Sequence, residues 1–273
     1  MTRRPLHTWL CSLVLVLQSL LPGHAASRQP HAYFSGDQLA LAQAILQGTE
    51  PLIDPLARHL GREGLNRPGT QDMTLLFFAL QSAMGEKPRQ LRILTTLVRA
   101  GADPTQEVPD FGSVLGVALR ARSPLYVQAL LDAGVSPDTV LGSSPILFDA
   151  ASEHTAATLA LLLDRGATID KKNTLGNTAL MKALQGMQLD QVMFLLDRGA
   201  SPHFVNINGV SFAGQLQFQI ARQQDGSPAQ RRMLQIRDRI TGLGVAWPPL
   251  SRDEERQRMR ERGQVPDKLL PVQ

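Results

Sequence analysis

The sequence predicts an all-α repeat protein, a solenoid in which similar helical units stack one on the next. Glycines that follow Leu-rich segments fall at positions 101, 134, 166 and 199, at intervals of 33, 32 and 33 residues. A second landmark keeps the same step, because Ser113, Pro145 and Thr178 each stand 21 residues before a glycine of this series. Aromatic residues make up only 5% of the chain, and Leu and Ala dominate, which favours packed helices over a β-sandwich. A fixed period of this length is typical of solenoids.

The segment before each glycine has the pattern of a helix that ends there. Residues 162–167 and 195–200 both have the sequence Leu-Leu-Asp-Arg-Gly-Ala. A helix C-terminus favours glycine in the left-handed conformation, and Leu at helical spacing predicts a face packed on the neighbouring unit. Residues 173–176 and 206–209 supply Asn and Gly for tight turns. The recurring Asp-Arg pair is therefore expected at surface helix ends.

The period, the Leu-Leu-x-x-Gly-Ala ending and the Thr-Pro-Leu-like opening resemble the ankyrin-repeat family. This resemblance implies an ankyrin-repeat solenoid whose units are a β-turn followed by two antiparallel helices, about five to six units including degenerate caps. It is strong over residues 94–210 and weaker over 34–93 and 211–246. The chain departs from the family where the opening motif usually carries His. That place holds Phe77, Gly116, Phe148, Met181 and Gly214.

The outer units are irregular, as expected for units that have one face in water. The unit that opens at Thr74 reaches its glycine six residues late, which we assign to a loop at 85–88 between its helices. Residues 37–60 are expected to form a degenerate first helix pair. The last unit opens at Ser211 and carries an insertion near 223–228.

The first 25 residues have the organisation of a secretory signal peptide. Arg3 and Arg4 precede an apolar stretch, and small residues near Ala25 fit a cleavage site there, with Ala26 as the alternative. The stretch is too short to span a bilayer as a stable helix, so no stable membrane insertion is expected after cleavage. The ordinary secretory route is favoured over the twin-arginine route. The expected location is exported and periplasmic, with secretion as the alternative.

The rest of the chain divides into two parts. Residues 26–246 are expected to form the ankyrin-repeat domain, and residues 247–273 a charged C-terminal tail or helix. Residues 252–262 mix Arg and Glu at helical spacing, which indicates a solvated segment. A docking helix is the alternative interpretation.

The composition does not support nucleic-acid binding or catalysis. When Arg3 and Arg4 are removed with the signal peptide, the 28 basic residues fall by two and exceed the 24 acidic residues only slightly. Nucleic-acid binding needs a concentrated basic surface, which this small surplus does not indicate. The only cysteine is Cys11, and no two later histidines have the spacing of metal ligands. The sequence has no phosphate-binding or dinucleotide motif. We expect no catalytic residues, no metal and no cofactor; an enzyme would need a site assembled from distant residues.

The resemblance also implies where a partner would bind. In ankyrin proteins the turn tips and the first helix of each unit form a concave face. The mixture of apolar, polar and charged residues on this face suits a protein partner better than a polyanion. Phe77 and Phe78 are expected in the core and not on this face. The turn positions are Pro109, Asp110, Leu141, Thr174, Leu175, Ile207 and Asn208, and the helix positions are Gln81, Arg120, Ser152, Glu153, Gln185 and Phe218.

The function implied by the resemblance is that of a monomeric, non-catalytic binding protein. Small exported ankyrin proteins of this kind resemble bacterial immunity proteins, which bind and neutralise secreted toxins such as type VI lipase effectors. Such a protein would act by covering the active site of the toxin. Two alternatives stay open: a periplasmic accessory protein that supports oxidative-stress defence, as for ankyrin proteins linked to catalase, and a secreted effector directed at a host.

Overall fold

The computed structural model describes residues 29–264. The predicted signal peptide at 1–25 and the last nine residues of the predicted charged segment lie outside this range. Within it the chain forms thirteen α-helices, four two-residue strands and two short 3-10 helices. The described chain is therefore mostly helical, as the sequence predicts.

Twelve of these helices form six consecutive pairs, and each pair is one unit of the repeat. The pairs are α1 (Gly36–Gln47) with α2 (Glu50–Asn66), α3 (Leu75–Ala83) with α4 (Pro88–Arg99), α5 (Val114–Arg120) with α6 (Leu125–Asp132), α7 (Ile146–Asp149) with α8 (Ala156–Asp164), α9 (Ala179–Gln185) with α10 (Leu189–Asp197), and α11 (Phe212–Ala221) with α12 (Pro228–Gly242). The first helices of successive units contact one another from α1 to α11 and so form one continuous row. Six units agree with the predicted five to six.

Four of the six first helices begin where a Ser or Thr hydroxyl caps them. A capping hydroxyl satisfies one of the N–H groups that the start of a helix leaves unpaired. The Thr74 hydroxyl accepts from the N–H of Phe77, which occupies the place where the family usually has His. Because the bond involves the backbone, that place tolerates Phe, Gly or Met. The capping residues are Thr74, Ser113, Thr178 and Ser211.

The second helices of units two to five are followed by glycine with a positive φ angle, as predicted, whereas α2 is followed by Arg67 in an extended conformation. The φ angle is 104° at Gly134 and 89° at Gly199. At Gly134 an added Cβ would meet nothing within 4 Å. Backbone conformation, and not lack of space, therefore requires glycine at this helix end.

Short hairpins or turns connect the central units. Strand β1 (Glu107–Val108) pairs antiparallel with β2 (Gly112–Ser113), and β3 (Val140–Leu141) pairs antiparallel with β4 (Ser144–Pro145). Each hairpin leads directly into the first helix of its unit. A β-turn followed by two helices is the unit that the resemblance implies.

Asn side chains organise the two later turns, as their Asn-Gly pattern predicts. The side-chain oxygen of Asn173 accepts from the N–H groups of Leu175 and Asn177. That of Asn206 accepts from the N–H groups of the second and fourth residues after it. The amide of Asn206 then donates to the Asn177 side chain at 2.8 Å, in a buried bond that joins the two turns.

The apolar core runs without interruption from the first unit to the last. Leu41, Leu162 and Leu216 are completely buried, and Phe77 and Phe78 lie in the core as expected. Burial of such side chains is the main favourable term in the stability of a repeat array. No helix among residues 29–264 is long and apolar enough to cross a membrane.

The Asp-Arg pairs lie at exposed helix ends, as predicted, and they also join one unit to the next. Asp132 ends α6 and pairs at 2.7 Å with Arg165, which follows α8. One unit further on, Asp164 pairs with Arg198 in the same way. Asp197 pairs with Arg239 of α12 at 3.4 Å. The sequence pattern did not indicate this ladder of ion pairs between units.

A thirteenth helix, α13 (Arg252–Glu261), follows the last pair. Ser251 and Glu254 form a capping box at its start, in which each side chain accepts from the backbone N–H of the other residue. Most of its side chains are exposed, but Met259 is buried. The described part of the charged segment therefore contains a helix with one buried side chain.

Candidate functional site

The first helices expose one face to solvent. In units two to five, the first, second, third, fifth and sixth residues after the capping position are all buried. The fourth and seventh residues lie together on the opposite side of the helix, because 3.6 residues make one turn. These two rows form the first-helix face, which consists of Phe78, Gln81, Val117, Arg120, Asp149, Ser152, Lys182, Gln185, Gln215 and Phe218.

Exposure along this face increases toward the C-terminal units. Phe78 is buried and Gln81 half-buried in the second unit, whereas Lys182 and Gln185 are both exposed in the fifth. In the sixth unit Phe218 is 57% exposed, and the guanidinium of Arg222 lies 5.2 Å from the centre of its ring. An exposed aromatic ring with an arginine stacked on it is typical of a protein contact site.

The middle of the face holds three charged side chains on three successive first helices. Asp149 of α7 lies between Arg120 of α5 and Lys182 of α9. Its carboxylate reaches solvent, yet the surrounding protein removes part of its hydration and thereby raises its pKa. The positive charges of Arg120 and Lys182 only partly offset this effect. Among the described residues none of the three forms an ion pair within 4.0 Å.

The sequence prediction that Ser152 and Glu153 lie on a first helix is wrong. Helix α7 ends at Asp149, and both residues belong to the loop before α8. The hydroxyl of Thr155 donates to the carbonyl oxygen of Ala150 and accepts from the N–H of Ser152. Ser and Thr side chains compete in this way with the backbone bonds that would continue a helix. Ser152 and Glu153 nevertheless lie at the end of the first-helix face, Ser152 half-buried and Glu153 exposed.

The turn residues of units three to six form a second row beside the first helices. The N–H of Thr174 donates to the carbonyl of Ser143 at 3.2 Å, and the N–H of Ile207 donates to that of Leu175 at 3.0 Å. These bonds hold neighbouring turns in register. Apolar side chains stand out at the turns, since Phe111, Val140 and Leu175 are 37%, 49% and 46% exposed.

The other predicted site residues lie in these two rows. Gln81, Arg120, Gln185 and Phe218 lie on first helices. The remaining seven belong to the turns: Pro109, Asp110, Leu141, Thr174, Leu175, Ile207 and Asn208.

The sequence reasoning missed the fourth position of the face in units three to six, held by Val117, Asp149, Lys182 and Gln215, and it missed Phe111 and Val140 of the turns. Asp149 and Lys182 stand four residues after Pro145 and Thr178, so the repeat phase alone could have found them. Phe111 and Val140 lie at hairpins whose side-chain exposure the sequence pattern does not reveal.

Asn208 differs from the other turn residues because another part of the chain covers it. Its carbonyl oxygen accepts from the Nε of Arg252 at 2.9 Å and from the Nε of Arg256 at 3.1 Å. Both arginines belong to α13. The docked helix therefore lies at the C-terminal end of the turn row.

The described residues contain no group of three His, Cys, Asp or Glu side chains that could hold a metal ion. What the two rows offer is a long open surface of apolar turns and charged helix positions. The fold and this surface define the class: a helical-repeat scaffold whose exposed surface is built from repeated equivalent positions.

Comparison with known proteins identifies the repeat. Residues 175–207 match the family model for the ankyrin repeat, whereas no curated protein sequence matches the chain significantly. The ankyrin repeat domain of Bcl-3, a member of the IkappaB protein family, is similar with a TM-score of 0.55 and 23% identity, over 74% of this chain and 84% of that one. An ankyrin repeat domain from Acinetobacter baumannii has a TM-score of 0.51 and 19% identity, over 71% and 96%.

A third structure, of a predatory endopeptidase from Bdellovibrio bacteriovorus in complex with an immunity protein, gives a TM-score of 0.49 and 21% identity over 72% and 97%. The family-model match and the structures with higher TM-scores agree on the fold. Residues 175–207 therefore match one ankyrin repeat, and the described chain has the fold of an ankyrin-repeat solenoid.

Proposed function

We propose that this protein is a non-catalytic binding module that holds another protein against its first-helix face and turn row. One observation supports this most directly: in units three to five the fourth and seventh positions of the first helices stay exposed or half-buried, while the positions between them are buried. Exposed apolar turns beside unpaired charges give a surface of the composition found at protein interfaces. An array of this kind buries its own core completely and leaves this surface available.

Within this class the specific role that we propose is immunity to a secreted toxin, in the periplasm and as a monomer. The pattern of a signal peptide at residues 1–25 supports export. The likeness of the sequence to small exported ankyrin proteins supports the immunity role. The protein would work by occupying the surface around the active site of the toxin, for example a type VI lipase effector, without chemistry of its own.

The first experiment identifies the partner. The mature protein, immobilised and incubated with extract of its own cell envelope, is expected to retain a toxin, which mass spectrometry would identify. The purified toxin should then lose activity when the mature protein is added at an equal concentration. Retention of a catalase instead would favour the role in oxidative-stress defence, and retention of a host protein alone would favour a secreted effector.

The second experiment tests the surface. The substitutions Arg120→Glu, on the first-helix face, and Glu153→Lys, in the loop after α7, each reverse a charge at an exposed position of the two central units. Each should reduce the retained partner at least about tenfold, because like charges brought together at an interface cost several kcal/mol. The thermal melt should change little, since neither side chain is buried. The control Arg67→Glu reverses an exposed charge in the loop after α2 and should leave retention unchanged. Equal retention by all three variants would contradict the proposed face.

A further inference from the structure

The backbone bonds between neighbouring turns repeat with the period of the solenoid. Their donors are the N–H groups of Thr174 and Ile207, which are 33 residues apart, and their acceptors are the carbonyls of Ser143 and Leu175. The next acceptor in this series is the carbonyl of Asn208, 33 residues after Leu175. A seventh unit would donate a backbone N–H to it.

Helix α13 satisfies this acceptor in place of a seventh unit. The side chains of Arg252 and Arg256 stand one helical turn apart and both donate their Nε–H to the Asn208 carbonyl. Two charged donors on one carbonyl form stronger bonds than the single backbone N–H that they replace. The two arginines thus occupy the last acceptor in the series of hydrogen bonds between neighbouring turns.

The close approach of α13 to the last turn depends on Gly209, the residue that follows Asn208. A Cβ added to Gly209 would lie 2.6 Å from Cγ of Arg256 and 2.7 Å from the carbonyl oxygen of Arg252. Real Cβ atoms do not approach other atoms so closely. The backbone of the last turn and the backbone of α13 are therefore fitted to each other, as two successive units are.

The attachment is narrow in comparison with a full unit. Among the ten residues of α13 only Met259 is buried, and the others are exposed or half-buried. An isolated helix of this length is marginally stable in water. The capping box at Ser251 supports the start of the helix, and the side-chain hydrogen bonds that join it to the last turn are those of Arg252 and Arg256.

We propose that α13 is a strap that closes the C-terminal end of the turn row and must be released before another chain can reach the last turn. This inference rests on the proposed function, which includes Ile207 and Asn208 in the surface for the partner. Closed, the strap occupies the Asn208 carbonyl and covers the space beside Gly209. Released, it leaves a free backbone acceptor at the end of the row, which an extended or helical segment of a partner could use as α13 does.

The test measures release of the strap without any partner. In the full chain, with Cys11→Ser, a reporter thiol is introduced as Met259→Cys, because this side chain is buried in the docked helix and release of the helix should expose it. Arg252→Ala with Arg256→Ala removes both bonds to Asn208. The matched control, Arg258→Ala with Arg260→Ala, removes two exposed arginines of the same helix that make no side-chain hydrogen bond to the described residues.

We expect the thiol to react at least about tenfold faster after the first pair of substitutions and at an unchanged rate after the control pair, since a hydrogen bond to a charged group is worth about a factor of ten or more in equilibrium. In the chain that keeps Met259, amide exchange of residues 206–211 should also speed up only in the first variant. Equal thiol rates in the two variants, or unchanged exchange at the last turn, would overturn the proposal. Because no partner is involved, this result is independent of the partner-capture experiment.

Discussion

At Asp149, the loss of hydration and the nearby positive charges shift the pKa of the carboxyl group in opposite directions. Desolvation raises the pKa of this carboxyl, and Arg120 and Lys182 lower it by a smaller amount. The folded-state pKa is thus above the unfolded value of about 3.9. At a pH below the unfolded-state value, the carboxyl group is protonated in both the folded and the unfolded state, and its titration does not change the stability of the fold. As the pH rises from the unfolded-state pKa to the folded-state pKa, the free energy of unfolding falls.

The substitution Asp149→Asn should therefore stabilise the fold at pH 7. The gain is expected to stay near about 0.5 kcal/mol, the range of surface substitutions, because the carboxylate is exposed and solvent screens it. Thermal melts of parent and variant at pH 7 and pH 3 measure it, and the difference should vanish at the lower pH. A variant that is less stable at pH 7 would show that the two cations outweigh desolvation.

Two glycines with similar backbone angles are expected to respond differently to the same substitution. Gly134 and Gly209 both have positive φ, 104° and 75°. A Cβ at Gly134 would meet open space, whereas at Gly209 it would collide with α13. Gly134→Ala should cost about 1–2 kcal/mol through backbone strain alone.

Gly209→Ala should cause a backbone strain comparable to that of Gly134→Ala and, in addition, a collision with α13. Because the collision displaces α13, its amides should exchange faster in this variant, while in Gly134→Ala they should keep the rate of the parent. Hydrogen exchange followed by mass spectrometry measures both variants. If α13 exchanged equally in the two, the close packing of α13 on the last turn would be refuted.

Among the elements, the first and second helices share one apolar core, and charges at the ends of the second helices add a further link between units. The ion pairs Asp132–Arg165 and Asp164–Arg198 connect successive helix ends on the surface. Exposed pairs contribute little, since water and salt screen them. Their regular spacing therefore says more about the alignment of the units than about their stability.

A double-mutant cycle on Asp164→Ala and Arg198→Ala should give a coupling energy of about 0.2–1 kcal/mol. Chemical denaturation of the two single variants and the double variant measures it. The coupling should fall at high salt, because both side chains are more than one third exposed. A coupling above about 2 kcal/mol would mean that the ladder is a principal source of cohesion between units.

The units were predictable from the sequence because their signals are local. The glycines after the second helices of units two to five, the Ser or Thr that caps four first helices and the Asn-Gly turns act within a few residues, and the structure has them where the pattern predicts. The length of α7 was not predictable in this way. Its end depends on Thr155 bonding back to the loop, and on Gln191 of α10 donating to the carbonyl of Ser152.

The candidate surface was predictable only in part, because the sequence pattern reveals positions that follow the repeat and does not reveal contacts between distant parts of the chain. Repeat phase placed Arg120 and Gln185 on first helices, and it would also have placed Asp149 and Lys182 there. It could not place α13 against Asn208, because the contacts of Arg252 with that residue span 44 positions of the chain. Contacts outside the period need the folded chain.

At the scale of the whole molecule, each unit packs only on its neighbours, so stability should be shared unequally between the middle and the end. Leu162 of the fourth unit and Leu216 of the sixth are both completely buried. Truncation of either to Ala removes the same atoms and should cost about 2–5 kcal/mol locally. The consequences for the rest of the chain should differ.

Leu162→Ala weakens a unit with neighbours on both sides, so loss of that unit separates the array into two blocks. Amide exchange should then increase in units on both sides of it, and the denaturation curve should broaden. Leu216→Ala should increase exchange only in the sixth unit and in α13, leaving units one to four at the parental rate. Exchange mapped along both full-length variants distinguishes the two patterns. The same uniform increase in both would mean that the six units unfold as one cooperative block, in which the end of the solenoid could not open by itself.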